Sequence, residues 1–119
     1  MRISTLIASK NSRFTIEACL RSFAEVSDEI ILVDNGSTDG TLIIVKRLMQ
    51  ELDNTKIRFI YRPDITRLED NRQCALNLAT GDFVVRADSD YVATDPAVWA
   101  RLREFLANHR LAWQRYLAV

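Results

Sequence analysis

Four consecutive apolar residues, Ile30, Ile31, Leu32 and Val33, stand between Glu29 and Asp34. A strand with one wet face alternates polar and apolar side chains, so an unbroken apolar block marks a strand covered on both faces. Three further short runs, Ile3 to Ala8, Lys56 to Tyr61 and Asp82 to Ala87, read as companion strands. Helical patterns separate them. Ile16, Cys19, Leu20 and Phe23 fall at i, i+3, i+4 and i+7, one apolar stripe. A second helix is expected to begin near Thr38 or Asp39, which suit capping, and to turn Leu42, Val45, Leu48, Met49 and Leu52 inward. The third covers Leu68 to Thr80, with Leu68, Ala75, Leu78 and Ala79 inward and Gly81 placed to end it. The fourth opens on Asp95 as N-cap with Pro96 at the first helical position. Val98, Leu102, Phe105 and Leu106 would then face the sheet.

Strict alternation of strands and helices implies parallel strands joined by right-handed crossovers. The expected fold is therefore α/β: a Rossmann-like open, mainly parallel four-stranded sheet with flanking helices. At 119 residues the chain is read as one domain over 1–108, with 109–119 as a C-terminal tail. Trp113, Tyr116 and Leu117 in that tail lack a partner and suggest the start of a missing C-terminal half or an oligomer contact.

Lys plus Arg and Asp plus Glu each number 16, so no global field draws the chain to nucleic acid or an anionic membrane. Recognition of a charged ligand must be local. Cys19 and Cys74 are too few for a disulfide scaffold, and both are expected as buried reduced thiols, which suits the cytoplasm. The opening apolar run is too brief for a signal peptide, and nothing approaches the roughly 20 apolar residues of a membrane span.

In an open parallel sheet, ligands bind at the carboxyl ends of the strands. There the sequence sets Ser9, Lys10 and Asn11 after the first strand, Asp34 to Gly40 after the second, and Asp88, Ser89 and Asp90 after the fourth. In extended chain Asp88 and Asp90 point to one side, where a hard divalent cation such as Mg²⁺ or Mn²⁺ would offset their repulsion. The bland reading is a pair of solvated loop acids. Asp34 to Gly40 is equally open: a capped strand-to-helix turn, or a turn whose Asp34 accepts from a nucleobase N–H. Arg72 could meet a diphosphate or the acidic rim, or pair with Glu69 three positions back. His109 has no partners for a triad, and neither cysteine is expected at the rim.

In order along the chain, these clusters resemble the N-terminal part of a family 2 glycosyltransferase with the GT-A fold. The matching pieces are Ile7 to Asn11, Ile31 to Thr41, Asn71-Arg72-Gln73, Ala79 to Asp82 and Ala87 to Asp90. The resemblance implies a nucleotide-sugar site built from Ala8, Ser9, Lys10, Asp34, Arg72, Asp88 and Ser89. It also implies an ion, Mn²⁺ or Mg²⁺, held by Asp90 with Asp88, and a UDP- or GDP-sugar as partner. Asp34 would contact the base and Asp88 the ribose or the water shell of the ion.

The sequence departs from the family at several points. Ala8-Ser9-Lys10-Asn11 replaces the usual Pro-Thr-Tyr-Asn, Asn35 replaces a frequent second Asp, and Tyr91 replaces a frequent third acid. The implied chemistry is inverting transfer to an acceptor hydroxyl, with a carboxylate base that this chain does not supply. After Asp90 only Asp95 and Glu104 remain, read as a helix cap and an exposed helix residue. The chain thus reads as a donor-binding part, located in the cytoplasm or peripherally at the inner face of a membrane. Two other classes stay open: a nucleotidyltransferase, which would want glycine after the first strand, and a non-catalytic αβ interaction domain.

Overall fold

A computed structural model describes residues 1–52 and 56–109. Its elements run β1 (Ile3–Ser9), α1 (Ile16–Val26), β2 (Glu29–Asp34), α2 (Thr41–Glu51), β3 (Ile57–Tyr61), α3 (Leu68–Leu78), β4 (Phe83–Asp88) and α4 (Pro96–Asn108). The sheet is wholly parallel with strand order β3-β2-β1-β4. The chain steps outward from β1 to β2 and β3, then reverses to place β4 on the other side of β1. That reversal makes the β1/β4 boundary the topological switch point, beyond whose carboxyl ends open α/β sheets bind their ligands.

Period-two geometry explains the two cores. Ile7, Ile30 and Leu32 point to one face, where Ile16, Cys19, Leu20 and Phe23 of α1 meet Val45 and Leu48 of α2. Leu6, Ile31 and Val33 point to the other, under Ala75 of α3 with Cys74 and Leu78 beside it. All six residues of β2 are buried, as the apolar block requires. Each such Ile, Leu or Val contributes about 1.5–3 kcal/mol through burial.

Several local expectations shift. β4 begins one residue late, because Asp82 is spent on Arg2: its amide donates to the Arg2 carbonyl at 2.7 Å and its carboxylate accepts from the Arg2 amide at 2.9 Å. α2 begins at Thr41 behind a left-handed Gly40 with φ 100°. Asp39 serves the turn instead, accepting from the Thr41 amide at 3.1 Å and its hydroxyl at 2.6 Å. α3 ends at Leu78, three residues before Gly81, and Leu68 on it is 49% exposed rather than inward. α4 has the expected Asp95 cap, which accepts from the Ala97 amide at 2.8 Å. Its buried side matches expectation only in part: Leu106 is buried and Leu102 half-buried, while Val98 and Phe105 are exposed. α4 packs on α1 rather than on the sheet, with Trp99 edge-on to Phe23 at 6.1 Å, and this neighbour turns the covered stripe toward Trp99. Cys74 is half-buried where full burial was expected. The tail residues Trp113, Tyr116 and Leu117 lie outside the described residues. Among the described residues no helix is long and apolar enough to cross a membrane.

Candidate functional site

The carboxyl ends of β1, β2 and β4 meet as anticipated, because parallel pairing aligns Ala8 with both Val33 and Asp88 and sets Ser9 beside Asp34. Asp34 is fully buried, yet it is a carboxylate with four donors. Oδ1 accepts the Gly36 and Ser37 amides at 2.9 and 2.8 Å, and Oδ2 accepts the Ser9 and Ser37 hydroxyls, both at 2.6 Å. Those bonds compensate a charge that burial would otherwise make costly. In this structure Asp34 shapes the β2–α2 turn and joins it to the end of β1.

The β1–α1 loop is tied to the same turn. Asn11, at φ 52°, donates its amide to Ser37 Oγ at 2.8 Å and accepts the Thr38 amide at 2.8 Å. The Ser12 amide donates to Thr41 Oγ1 at 2.9 Å, and Ser12 Oγ shares a 2.6 Å hydrogen bond with Ser89 Oγ. That last bond spans the switch point. Lys10 is exposed on this loop and Ala8 is half-buried beneath it.

The β4 end departs from the simple picture of two carboxylates on an extended strand. β4 stops at Asp88, and residues 89–90 form a turn closed by the Tyr91 amide on the Asp88 carbonyl at 3.0 Å. Arg72 on α3 reaches Asp88 Oδ1 at 3.3 Å, with side-chain exposures of 32% and 44%. The alternative pairing of Arg72 with Glu69 is not formed; Glu69 is bonded by Arg67 at 2.8 Å. Asp90 is exposed and holds no ion pair among the described residues.

Cys19 lies at the rim after all. Its thiol contacts the Asp88 carbonyl at 3.6 Å. Burial pushes the thiol up to about 12, and the charges of Asp90 and Asp88 add to the effect, which disfavours the thiolate.

Asn71 and its network were not anticipated. Fully buried on α3, it donates Nδ2 to the Val33 carbonyl at 2.8 Å and to Asn35 Oδ1 at 2.7 Å, while Asn35 Nδ2 donates to the Arg62 carbonyl at 3.2 Å. Asn71 Oδ1 is buried without a partner. The signal was present: Asn71 falls one turn before Ala75 on the inward stripe, a polar residue where an apolar one belongs.

Among the described residues no three His, Cys, Asp or Glu side chains gather into a cation cage. What the rim offers is narrower: two oxygen-bearing acids two residues apart, one exposed and one shared with an arginine. That set fits a hard ion that takes one or two protein carboxylates and fills its other positions from water and phosphate. It does not fit a metal caged by protein alone.

Residues 4–117 match the profile of glycosyl transferase family 2. The Bacillus subtilis (strain 168) protein named as the glycosyltransferase EpsE is 30% identical over 112 residues, which is 92% of this chain and 40% of that one. Among solved structures, S. aureus TarS in complex with UDP-GlcNAc aligns with TM-score 0.73 and 28% identity, over 92% of this chain and 32% of that one. The mannosyltransferase PcManGT from Pyrobaculum calidifontis, in complex with GDP-Man and Mn²⁺, gives TM-score 0.79 and 25% identity over 89% and 32%. The chain thus spans two fifths or less of the length of each of these relatives. Their shared architecture is the GT-A glycosyltransferase domain, seen here as four parallel strands flanked by helices. With a profile match that runs through every strand of the sheet and both acids of the rim, the chain belongs to glycosyl transferase family 2.

Proposed function

We propose that this chain is the donor-binding part of an inverting glycosyltransferase, holding a UDP- or GDP-sugar at the β1/β4 rim with a divalent ion, Mn²⁺ or Mg²⁺. The observation that carries the reading is the convergence of Arg72, Asp88 and Asp90 at the switch point of the sheet, on loops locked together through Ser12 and Ser89. Complexes of relatives with UDP-GlcNAc and with GDP-Man and Mn²⁺ support it.

Asp90, with Asp88, would hold the ion, which when bound supplies positive charge against that developing on the leaving diphosphate. Each protein group has its own task. Asp34 keeps the β2–α2 turn in the shape that faces the nucleoside, with Ala8 and Ser9 behind it, and its direct contact with the base would require release of an internal donor. Lys10, exposed on its loop, approaches a phosphate. Arg72 contributes a planar cation suited to phosphoryl oxygens. Ser89 keeps the β4 turn against the β1 loop. Deprotonation of the acceptor hydroxyl needs a carboxylate aimed at it. Asp95 is engaged as the α4 cap and Glu104 sits exposed on α4, so neither is assigned as that base. A reducing cytoplasm suits the two free thiols.

The test is calorimetric titration of UDP, GDP, TDP and CDP with and without Mn²⁺. Binding of UDP or GDP that needs Mn²⁺ and weakens at least about tenfold in Asp90→Ala is expected, the scale of one lost charge-assisted contact. Metal-independent binding, or binding indifferent to Asp90→Ala, would overturn the assignment.

A further inference from the structure

The Arg72–Asp88 pair occupies the place where two ligands are expected, which has a consequence for the order in which they bind. Arg72 Nη2 stands 3.3 Å from Asp88 Oδ1, and neither side chain is buried enough to be locked there. Asp90, the other acid of the rim, has no ion pair among the described residues. The rim is therefore a set of two carboxylates already half-neutralised by a tethered guanidinium. We propose that Arg72 acts as a stand-in cation for Asp88, so that the divalent ion binds tightly only together with a diphosphate that draws Arg72 off the carboxylate.

The inference rests on the donor-site reading above and deepens it. Its physical basis is competition for charge. A cation arriving alone meets Asp90 and a carboxylate shared with Arg72, and the guanidinium repels it. A diphosphate arriving alone meets Arg72 only at the cost of uncovering Asp88, whose freed charge repels it. Arriving together, the ion takes the carboxylates and the anion takes the fork-shaped guanidinium, which pairs with phosphate oxygens as readily as with a carboxylate. Neither ligand then faces an uncompensated like charge. Arg72 is in this sense a positioning residue, and metal and nucleotide affinities are coupled through it, each raising the other by the same factor.

The cycle is measured on the full chain, with free Mn²⁺ read by electron paramagnetic resonance and nucleotide binding by calorimetry, using UDP and GDP. Arg72→Met keeps the aliphatic stem and removes the charge. It should bind Mn²⁺ alone roughly fivefold more tightly than the wild type, the scale of a half-exposed ion pair. With Mn²⁺ saturating it should bind nucleotide about tenfold more weakly, the scale of one lost charge-assisted hydrogen bond. The factor by which Mn²⁺ and nucleotide strengthen each other should fall severalfold, leaving only the share that the ion's own attraction for the diphosphate supplies. Arg72→Lys should retain most of the coupling. A variant that merely loosened the fold would lose affinity for the bare ion, not gain it. Unchanged or weaker binding of Mn²⁺ alone by Arg72→Met, with wild-type coupling intact, overturns this inference and leaves the donor site standing. Nucleotide binding that ignores Mn²⁺ in the wild type overturns both.

Discussion

Asp34 illustrates how a residue can be conspicuous in sequence for one reason and work in the structure for another. Its position at the end of a buried strand, ahead of Asn35-Gly36-Ser37, left a turn or a base contact equally open. The structure gives it four internal donors and no solvent exposure. Replacing Asp34 with Asn removes the charge and one acceptor face while adding an amide donor, which turns toward groups that are themselves donors. Asp34→Asn should cost about 2–4 kcal/mol, from lost charge-assisted bonds and a buried donor left unpaired. Urea denaturation checks this. A loss under about half a kcal/mol would mean that the turn holds its shape without the carboxylate, well below the usual scale of such bonds. Asn71 could be found as an oddity on an apolar stripe, but not its partners: the Val33 carbonyl and Asn35 are long-range neighbours that only the β2–α3 packing creates.

At the scale of elements, the strands were legible and the helix faces only partly so. The apolar block of β2 marks its two-sided burial directly, and the Asp95–Pro96 start of α4 follows from local capping chemistry. Which side of α4 is buried does not, since Val98 and Phe105 are as apolar as Leu106. The choice is made by α1, through the Phe23–Trp99 contact. Asp88 and Asp90 do not project together from extended chain, because the residues after the strand turn back at once, with the Tyr91 amide on the Asp88 carbonyl. Gly81 lies three residues past the end of α3, and its role is close approach rather than helix termination. A Cβ there would lie 2.5 Å from Ser4 Oγ, 2.7 Å from Ser4 N and 2.9 Å from the Arg2 carbonyl, so β1 itself would have to move. Gly40 is the opposite case, with open space around it but φ 100°. Gly81→Ala should therefore cost about 1–3 kcal/mol through overpacking. Gly40→Ala should cost about 1–2 kcal/mol through left-handed strain alone. The two differ in where the damage appears. Amide exchange should quicken across β1 and β4 in Gly81→Ala and stay local to the α2 start in Gly40→Ala.

Across the whole molecule the sheet has two unlike ends. The carboxyl end leaves Asp90 exposed, whereas the amino end spends Asp28 and Glu29 on the fold. Glu29, buried at the start of β2, accepts the Ser4 hydroxyl of β1 at 2.5 Å and both the amide and hydroxyl of Thr80 at 2.7 and 2.9 Å. Arg2 and Arg58 stand 3.8 Å away. Asp28 beside it accepts the Ile3 amide at 2.7 Å and bonds Arg103 of α4 at 2.6 Å. Burial raises the pKa of both acids, but those hydrogen bonds and the neighbouring arginines outweigh it, and both lie below the ordinary values of 4.5 and 3.8. A carboxylate whose folded pKa is depressed adds stability that is full above its unfolded pKa and is lost as pH falls through the folded one. Stability should thus be level from neutral pH down to about 5 and then fall as both acids take up protons. Glu29→Gln should be less stable at pH 7 by about 2 kcal/mol, the scale of its charge-assisted bonds. It should also lose less than the wild type between pH 5 and pH 3. Denaturant midpoints across that range decide it, and parallel pH profiles for the two proteins would remove Glu29 from the acid response. Because Ser4 of β1, Thr80 of the α3–β4 connection, Arg58 of β3 and Arg103 of α4 all reach these acids, such acid loosening should spread through the sheet as one cooperative transition. The carboxyl-end rim would then fail with the fold at low pH, although the groups that open it lie at the far end of the strands.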